Sequence, residues 1–128
     1  VKKELEHLAE QAFECGEPNI PEDLSQAVKI AADYAARHYR EAVGLGDAAE
    51  AAGVNSTYLS YLFSQEMGIG FANYLLNLRM EHAKKLLRET NLKTWQVAEE
   101  SGFNDYHYFS KVFKKAEGMS PAQYRKHS

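Results

Sequence analysis

Two stretches of this chain repeat one another, and that repeat limits the fold more than any other feature. The segment Ala49-Glu50-Ala51-Ala52-Gly53-Val54-Asn55-Ser56-Thr57-Tyr58-Leu59-Ser60-Tyr61-Leu62-Phe63 lies over Ala98-Glu99-Glu100-Ser101-Gly102-Phe103-Asn104-Asp105-Tyr106-His107-Tyr108-Phe109-Ser110-Lys111-Val112-Phe113, with one residue inserted in the second copy. The register continues: Gly68 and Tyr74 follow Phe63 by five and eleven residues, and Gly118 and Tyr124 follow Phe113 by the same intervals. A chain of 128 residues carrying two such copies builds one or two small helical units, with no room for a catalytic barrel or a doubly wound sheet.

Each copy has the grammar of a helix-turn-helix: a short helix with a small Ala where a second helix approaches, a Gly at the turn, an apolar plug and a longer helix. Ala49 and Ala98 are the close-approach residues, Gly53 and Gly102 the turn residues suited to positive φ, and Val54 and Phe103 the plugs. Leu59, Leu62 and Phe63 form the buried stripe of the first copy's second helix, and Phe109, Val112 and Phe113 that of the second. A repeated αα-hairpin that merely packs would explain these apolar positions equally well. It does not explain the exposed ones, which are Asn55, Ser56, Thr57, Ser60 and Tyr61 in copy one and Asp105, Tyr106, His107, Ser110 and Lys111 in copy two. Short donors and acceptors, phenols and one cation suit base edges and phosphates better than an apolar groove. A solvated face, or a helical protein-interaction module, is the competing reading.

Nowhere do apolar and polar residues alternate long enough for a strand, so the fold is predicted to be all-α, with about seven helices in the domain. Residues 1–15 read as the tail of an upstream helix and 16–23, with two prolines, as a linker. Ser25 is placed to cap a helix over about 26–41, with Ala27, Ile30, Ala31, Tyr34 and His38 along one face. His38 is expected at the edge of that face. Further helices are predicted at 46–52, 56–66, 71–88, 94–101, 105–116 and 121–126, separated by Gly- and Asn-containing breaks. The helix over 71–88 spans roughly 27 Å at about 1.5 Å per residue, enough with the width of each unit to separate two reading helices by about one DNA turn, ~34 Å. Arg79, in its middle among Leu75, Leu76, Leu78, Ala83, Leu86 and Leu87, is expected to be structural, tied to a carboxylate or to carbonyls of a neighbouring helix. The opening at Val1, on residues that read as mid-helix, predicts a piece of a longer protein.

The net charge of −3 hides an asymmetry: residues 1–42 hold 5 Lys+Arg against 9 Asp+Glu, and residues 43–128 hold 10 against 9. A DNA-facing surface must therefore come from local clusters in the later part of the chain, of which Lys111, Lys114, Lys115, Arg125 and Lys126 are the clearest. The five His and single Cys show no metal spacing, and there is no HExxH, phosphate-binding Gly loop or nucleophile elbow. Catalysis, cofactors and metals are not expected. Cys15, flanked by Glu14 and Gly16, lacks a base to activate it. With no long apolar run and a charged front, a cytoplasmic protein without a membrane contact is expected.

The string Tyr58-Leu59-Ser60-x-Leu62-Phe63, then Gly68, Phe71, Tyr74-Leu75, Arg79, Ala83, Leu86-Leu87, Val97-Ala98, Gly102-Phe103, Tyr108-Phe109-Ser110-Lys111-Val112-Phe113-Lys114-Lys115, Gly118 and Ser120-Pro121-x-x-Tyr124-Arg125 resembles the AraC/XylS DNA-binding domain over about residues 26–128. The resemblance implies a homeodomain-like domain over 24–128. Its first helix-turn-helix would occupy about 43–70, a linker helix 71–88 and the second unit 92–128, with recognition helices in adjacent major grooves of double-stranded DNA. By position, Thr57, Ser60 and Tyr61 would face bases from the first unit and Tyr106, His107 and Lys111 from the second. It also implies an upstream receiver or sensor domain, most like that of YesN-type response regulators, a dimeric full-length protein, and RNA polymerase as a partner if genes are activated. Departures are concentrated in copy one. Tyr61 stands where the family usually has Arg, Ser64 and Gln65 where basic residues are common, Gly70 where Ser or Thr caps the linker helix, and Ala48 where a larger aliphatic is usual. No Lys or Arg occurs from Val43 to Asn77.

Overall fold

The computed structural model describes residues 24–128, which form seven helices and no strand. They are α1 (Gln26–His38), α2 (Leu45–Ala52), α3 (Ser56–Met67), α4 (Phe71–Glu89), α5 (Thr94–Glu100), α6 (Tyr106–Glu117) and α7 (Pro121–Lys126). The expected helix over 1–15 and linker over 16–23 lie outside the described residues. The chain divides into two compact units, the first comprising residues 24–37 and 43–73, the second residues 38–42 and 74–128.

In the first unit, α2 and α3 pack as the helix pair of copy one. Ala48 and Ala49 are buried on α2, and Leu59 and Phe63 on α3. Phe63 meets Phe71 edge to face, with ring centroids 5.4 Å apart, a favoured geometry for aromatic quadrupoles. α1 departs from expectation in two ways. Its buried face is Val28, Ala31, Ala32 and Ala35, with Ala27, Ile30, Tyr34 and His38 only half-buried at its side. The small alanines go inward, where backbones approach, and the bulkier Ile and Tyr sit at the rim. Ser25 does occupy the position before the helix, its carbonyl accepting from Lys29 N–H at 3.0 Å. Its hydroxyl, however, donates to Glu66 on α3, whose other carboxylate oxygen accepts from the Ser25 N–H.

The second unit has a continuous apolar core of Met80, Ala83, Leu87, Val97, Ala98, Phe103, Phe109 and Phe113, edged by Leu76, Leu86, Leu92, Val112 and Tyr124. These residues come from the period-3.6 stripes of α4, α5 and α6, closed by the Phe103 plug and by Tyr124 of α7. Tilted and edge-to-face ring contacts run through it in series, with centroids Phe103 to Phe109 at 4.8 Å, Phe109 to Phe113 at 5.6 Å and Phe113 to Tyr124 at 5.4 Å. Truncating any fully buried Phe here to Ala would cost about 3–5 kcal/mol.

Candidate nucleic-acid interface

The two second helices begin and end alike. Asn55 precedes α3 and its Oδ1 accepts from Tyr58 N–H at 2.7 Å, while Asp105 precedes α6 and its Oδ1 accepts from His107 N–H at 2.9 Å. Each satisfies an amide that the first helical turn leaves orphaned, worth about 1 kcal/mol. Both residues were expected to face DNA; the structure commits their side chains to capping, which in turn fixes where each helix starts.

With Leu59 and Phe63 buried on α3 and Phe109 and Phe113 on α6, the opposite face of each helix follows from ~100° per residue. On α6 that sector holds His107, Lys111, Lys114 and Lys115, all exposed; on α3 it holds Thr57, Tyr61, Ser64 and Gln65, also exposed. Ser60 and Ser110 flank the two sectors, the first exposed and the second half-buried. Ser56 and Tyr106 lie closer to the buried side. Tyr106 is further engaged, because its hydroxyl lies 3.0 Å from Thr94 Oγ1 at the start of α5. Sequence reasoning named Lys114 as a candidate contact and Ser64 only as a departure from the family pattern, although the repeat itself places Ser64 at the equivalent position.

Two arginines take up structural work. Arg79 Nε donates to the Tyr39 carbonyl at 2.6 Å and a terminal nitrogen to the Glu41 carbonyl at 3.0 Å, so the carbonyl alternative of the sequence reading is the one realised. Arg125, expected at the DNA, donates instead to the Leu87 carbonyl at 3.0 Å and the Thr90 carbonyl at 3.2 Å. A cation at the last carbonyls of a helix is favourable by both hydrogen bonding and the helix dipole. Arg125 thus fastens α7 to the end of α4 through two of its nitrogens while its side chain stays half-exposed.

The turn residues behave as their spacing predicts. Gly53 has φ 73° and Gly102 φ 98°, the left-handed region that penalises a Cβ. Phe103 is buried beneath the second turn. The two units differ in charge: within the described residues the first carries 2 Lys+Arg against 4 Asp+Glu, the second 11 against 7. Among the described residues no His, Cys, Asp and Glu group could hold a metal ion, and no helix is long and apolar enough to cross a membrane.

The family described as "Helix-turn-helix domain" matches residues 48–127, which takes in both repeats and the helix between them. The C-terminal domain of AraT, a response regulator from Geobacillus stearothermophilus, superposes with a TM-score of 0.79 at 41% identity, over 83% of this chain and 88% of that one. The chain belongs to the AraC-type helix-turn-helix family of DNA-binding transcription regulators. YisR, an HTH-type transcriptional regulator of Bacillus subtilis, is 38% identical over 120 residues, 94% of this chain and 40% of its own length. The present chain therefore spans well under half of that curated relative. The DNA-binding domain of AdpA, whose structure was solved in complex with a target DNA, shares the fold at 23% identity and a TM-score of 0.75, over 80% of this chain and 93% of that one.

Proposed function

We propose that this AraC-type domain binds its DNA site chiefly through the second unit, with α6 as the dominant reading helix. The observation that carries the reading is the contrast between matched sectors: His107, Lys111, Lys114 and Lys115 on α6 against Thr57, Tyr61, Ser64 and Gln65 on α3. A Lys in the major groove donates to guanine O6 and N7, and one nearer the backbone neutralises phosphate. Hydroxyls and a phenol offer single hydrogen bonds without a bidentate match. Ser60, Ser110 and the first-turn residues Ser56 and Tyr106 act at the margins, and Arg79, Gly53, Gly102 and Phe103 hold the frame. The AdpA complex supports DNA as the ligand of this fold, and the likeness to AraT, a response regulator, supports an upstream receiver in the full-length protein. A dimer engaging paired sites is part of the same reading, because a first helix-turn-helix with no Lys or Arg from Val43 to Asn77 gives a single domain weak affinity. Contact with RNA polymerase belongs to an activating role.

Selection of binding sites from random duplexes, repeated on three variants, tests this. Lys111→Ala should cost about 1–3 kcal/mol at the selected site and relax one or two base pairs. Lys114→Ala should weaken all sequences alike and lower the salt slope by about one. Tyr61→Ala should change specificity less than Lys111→Ala. Loss of a preferred base with Tyr61→Ala and none with Lys111→Ala would reverse the assignment.

A further inference from the structure

The two turn glycines occupy the same place in the repeat, yet their surroundings differ. A Cβ added at Gly53 would have nothing within 4 Å. At Gly102 it would meet the Tyr39 carbonyl oxygen at 2.4 Å, the Arg40 Cα at 3.0 Å and Arg79 Nε at 3.0 Å. Tyr39 and Arg40, which follow α1 in the chain, are therefore laid against the turn of the second helix-turn-helix. Helix-turn-helix grammar requires no such external segment, and copy one does without it.

The docked segment is held at several points. Arg40 Nε donates to the Glu100 carbonyl and a terminal nitrogen to the Glu100 carboxylate, each at 2.8 Å, so one guanidinium grips the last residue of α5 by main chain and side chain together. The Tyr39 hydroxyl lies 2.9 Å from His82 Nδ1 on α4, and its carbonyl accepts from Arg79. Glu100 is followed by Ser101 and Gly102, and these by the Phe103 plug and the Asp105 cap of α6. The angle between α5 and α6 is set within this run.

We propose that Arg40 is a positioning residue for the second reading helix: through Glu100 it fixes the α5–α6 turn and makes the DNA affinity of α6 depend on the chain upstream. The inference rests on the reading of α6 as the dominant DNA-binding helix. Linkage makes the coupling reciprocal, so DNA on α6 must tighten residues 38–42 as much as those residues favour DNA.

Hydrogen exchange and fluorescence anisotropy on the 128-residue chain, with a duplex obtained by selection, test it. Arg40→Ala should weaken binding about three- to tenfold and speed exchange at residues 101–105 without DNA. The melting temperature should fall only slightly, since both partners of the pair are half-exposed. Arg37→Ala, which removes the same charge from the exposed Asp33–Arg37 pair, is the control and should leave affinity unchanged. Saturating duplex should slow exchange at residues 39–42 in the parent chain. Equal weakening by Arg40→Ala and Arg37→Ala, or exchange at 39–42 indifferent to bound duplex, would overturn the inference while leaving the DNA-binding reading standing. A parent chain that binds no duplex overturns both.

Discussion

Alanine at the two turn glycines should separate backbone strain from close packing. Gly53→Ala places a Cβ in open space at φ 73°, so its cost is the left-handed backbone alone, about 1–2 kcal/mol. Gly102→Ala carries at least that left-handed strain at φ 98° and in addition drives a methyl to 2.4 Å from the Tyr39 carbonyl oxygen. Backbone cannot yield as a flexible side chain would. The Tyr39 carbonyl must retreat, and the 2.6 Å bond from Arg79 goes with it, a charged hydrogen bond worth about 1.5–3 kcal/mol. The total is about 2.5–5 kcal/mol, a large share of the stability of a small domain. At about 4–8 °C per kcal/mol for a unit of this size, the second unit should melt at least about 10 °C lower. The only tryptophan, Trp95, lies in that unit, so its fluorescence reports the unit's unfolding directly. Gly53→Ala should leave the Trp95 transition nearly in place and shift a circular-dichroism component instead. Equal shifts of the Trp95 transition by the two substitutions would refute the packing reasoning.

Two further outcomes follow from single sites. Burial, then the Arg40 and Lys85 charges, hold the His82 imidazole below its ordinary value of 6.5 against a smaller opposing pull from Glu100, so the unfolded chain takes up the proton first. Stability of the second unit is then complete above about pH 6.5 and falls as pH drops below it; melts followed at Trp95 should show this, and His82→Gln should flatten the dependence. Gly70→Ser should raise the stability of the first unit by a few tenths of a kcal/mol, as expected for a hydroxyl cap replacing Gly before α4, because the nearest atom to its new Cβ is Ser64 Oγ at 3.8 Å. A urea midpoint lowered by Gly70→Ser would count against it.

The repeat made most of the fold legible, because helix stripes and glycine breaks are local signals. The ends of α2 to α7 fall within a residue of expectation. α1 stops at His38 instead of about 41 because the Tyr39 and Glu41 carbonyls turn to Arg79, a partner some 40 residues away that no local pattern announces. The same reason hides Arg125, whose carbonyl partners Leu87 and Thr90 lie at and just past the end of α4, and Arg40, whose grip on Glu100 crosses 60 residues. Asn55 and Asp105 were legible as polar and exposed, but capping and base contact draw on the same residue types, and only geometry separates them. Ser64 needed no structure at all: the register that pairs Phe63 with Phe113 also pairs Ser64 with Lys114.

Fluorescence anisotropy of the chain with selected duplex at about 50 and 200 mM salt tests the central claim most directly. The account predicts binding that weakens steeply with salt and a slope reduced by about one in Lys114→Ala, with Ser64→Ala leaving the slope unchanged. Binding that ignores salt, or a slope equally insensitive to Lys114 and Ser64, would contradict a DNA grip centred on α6.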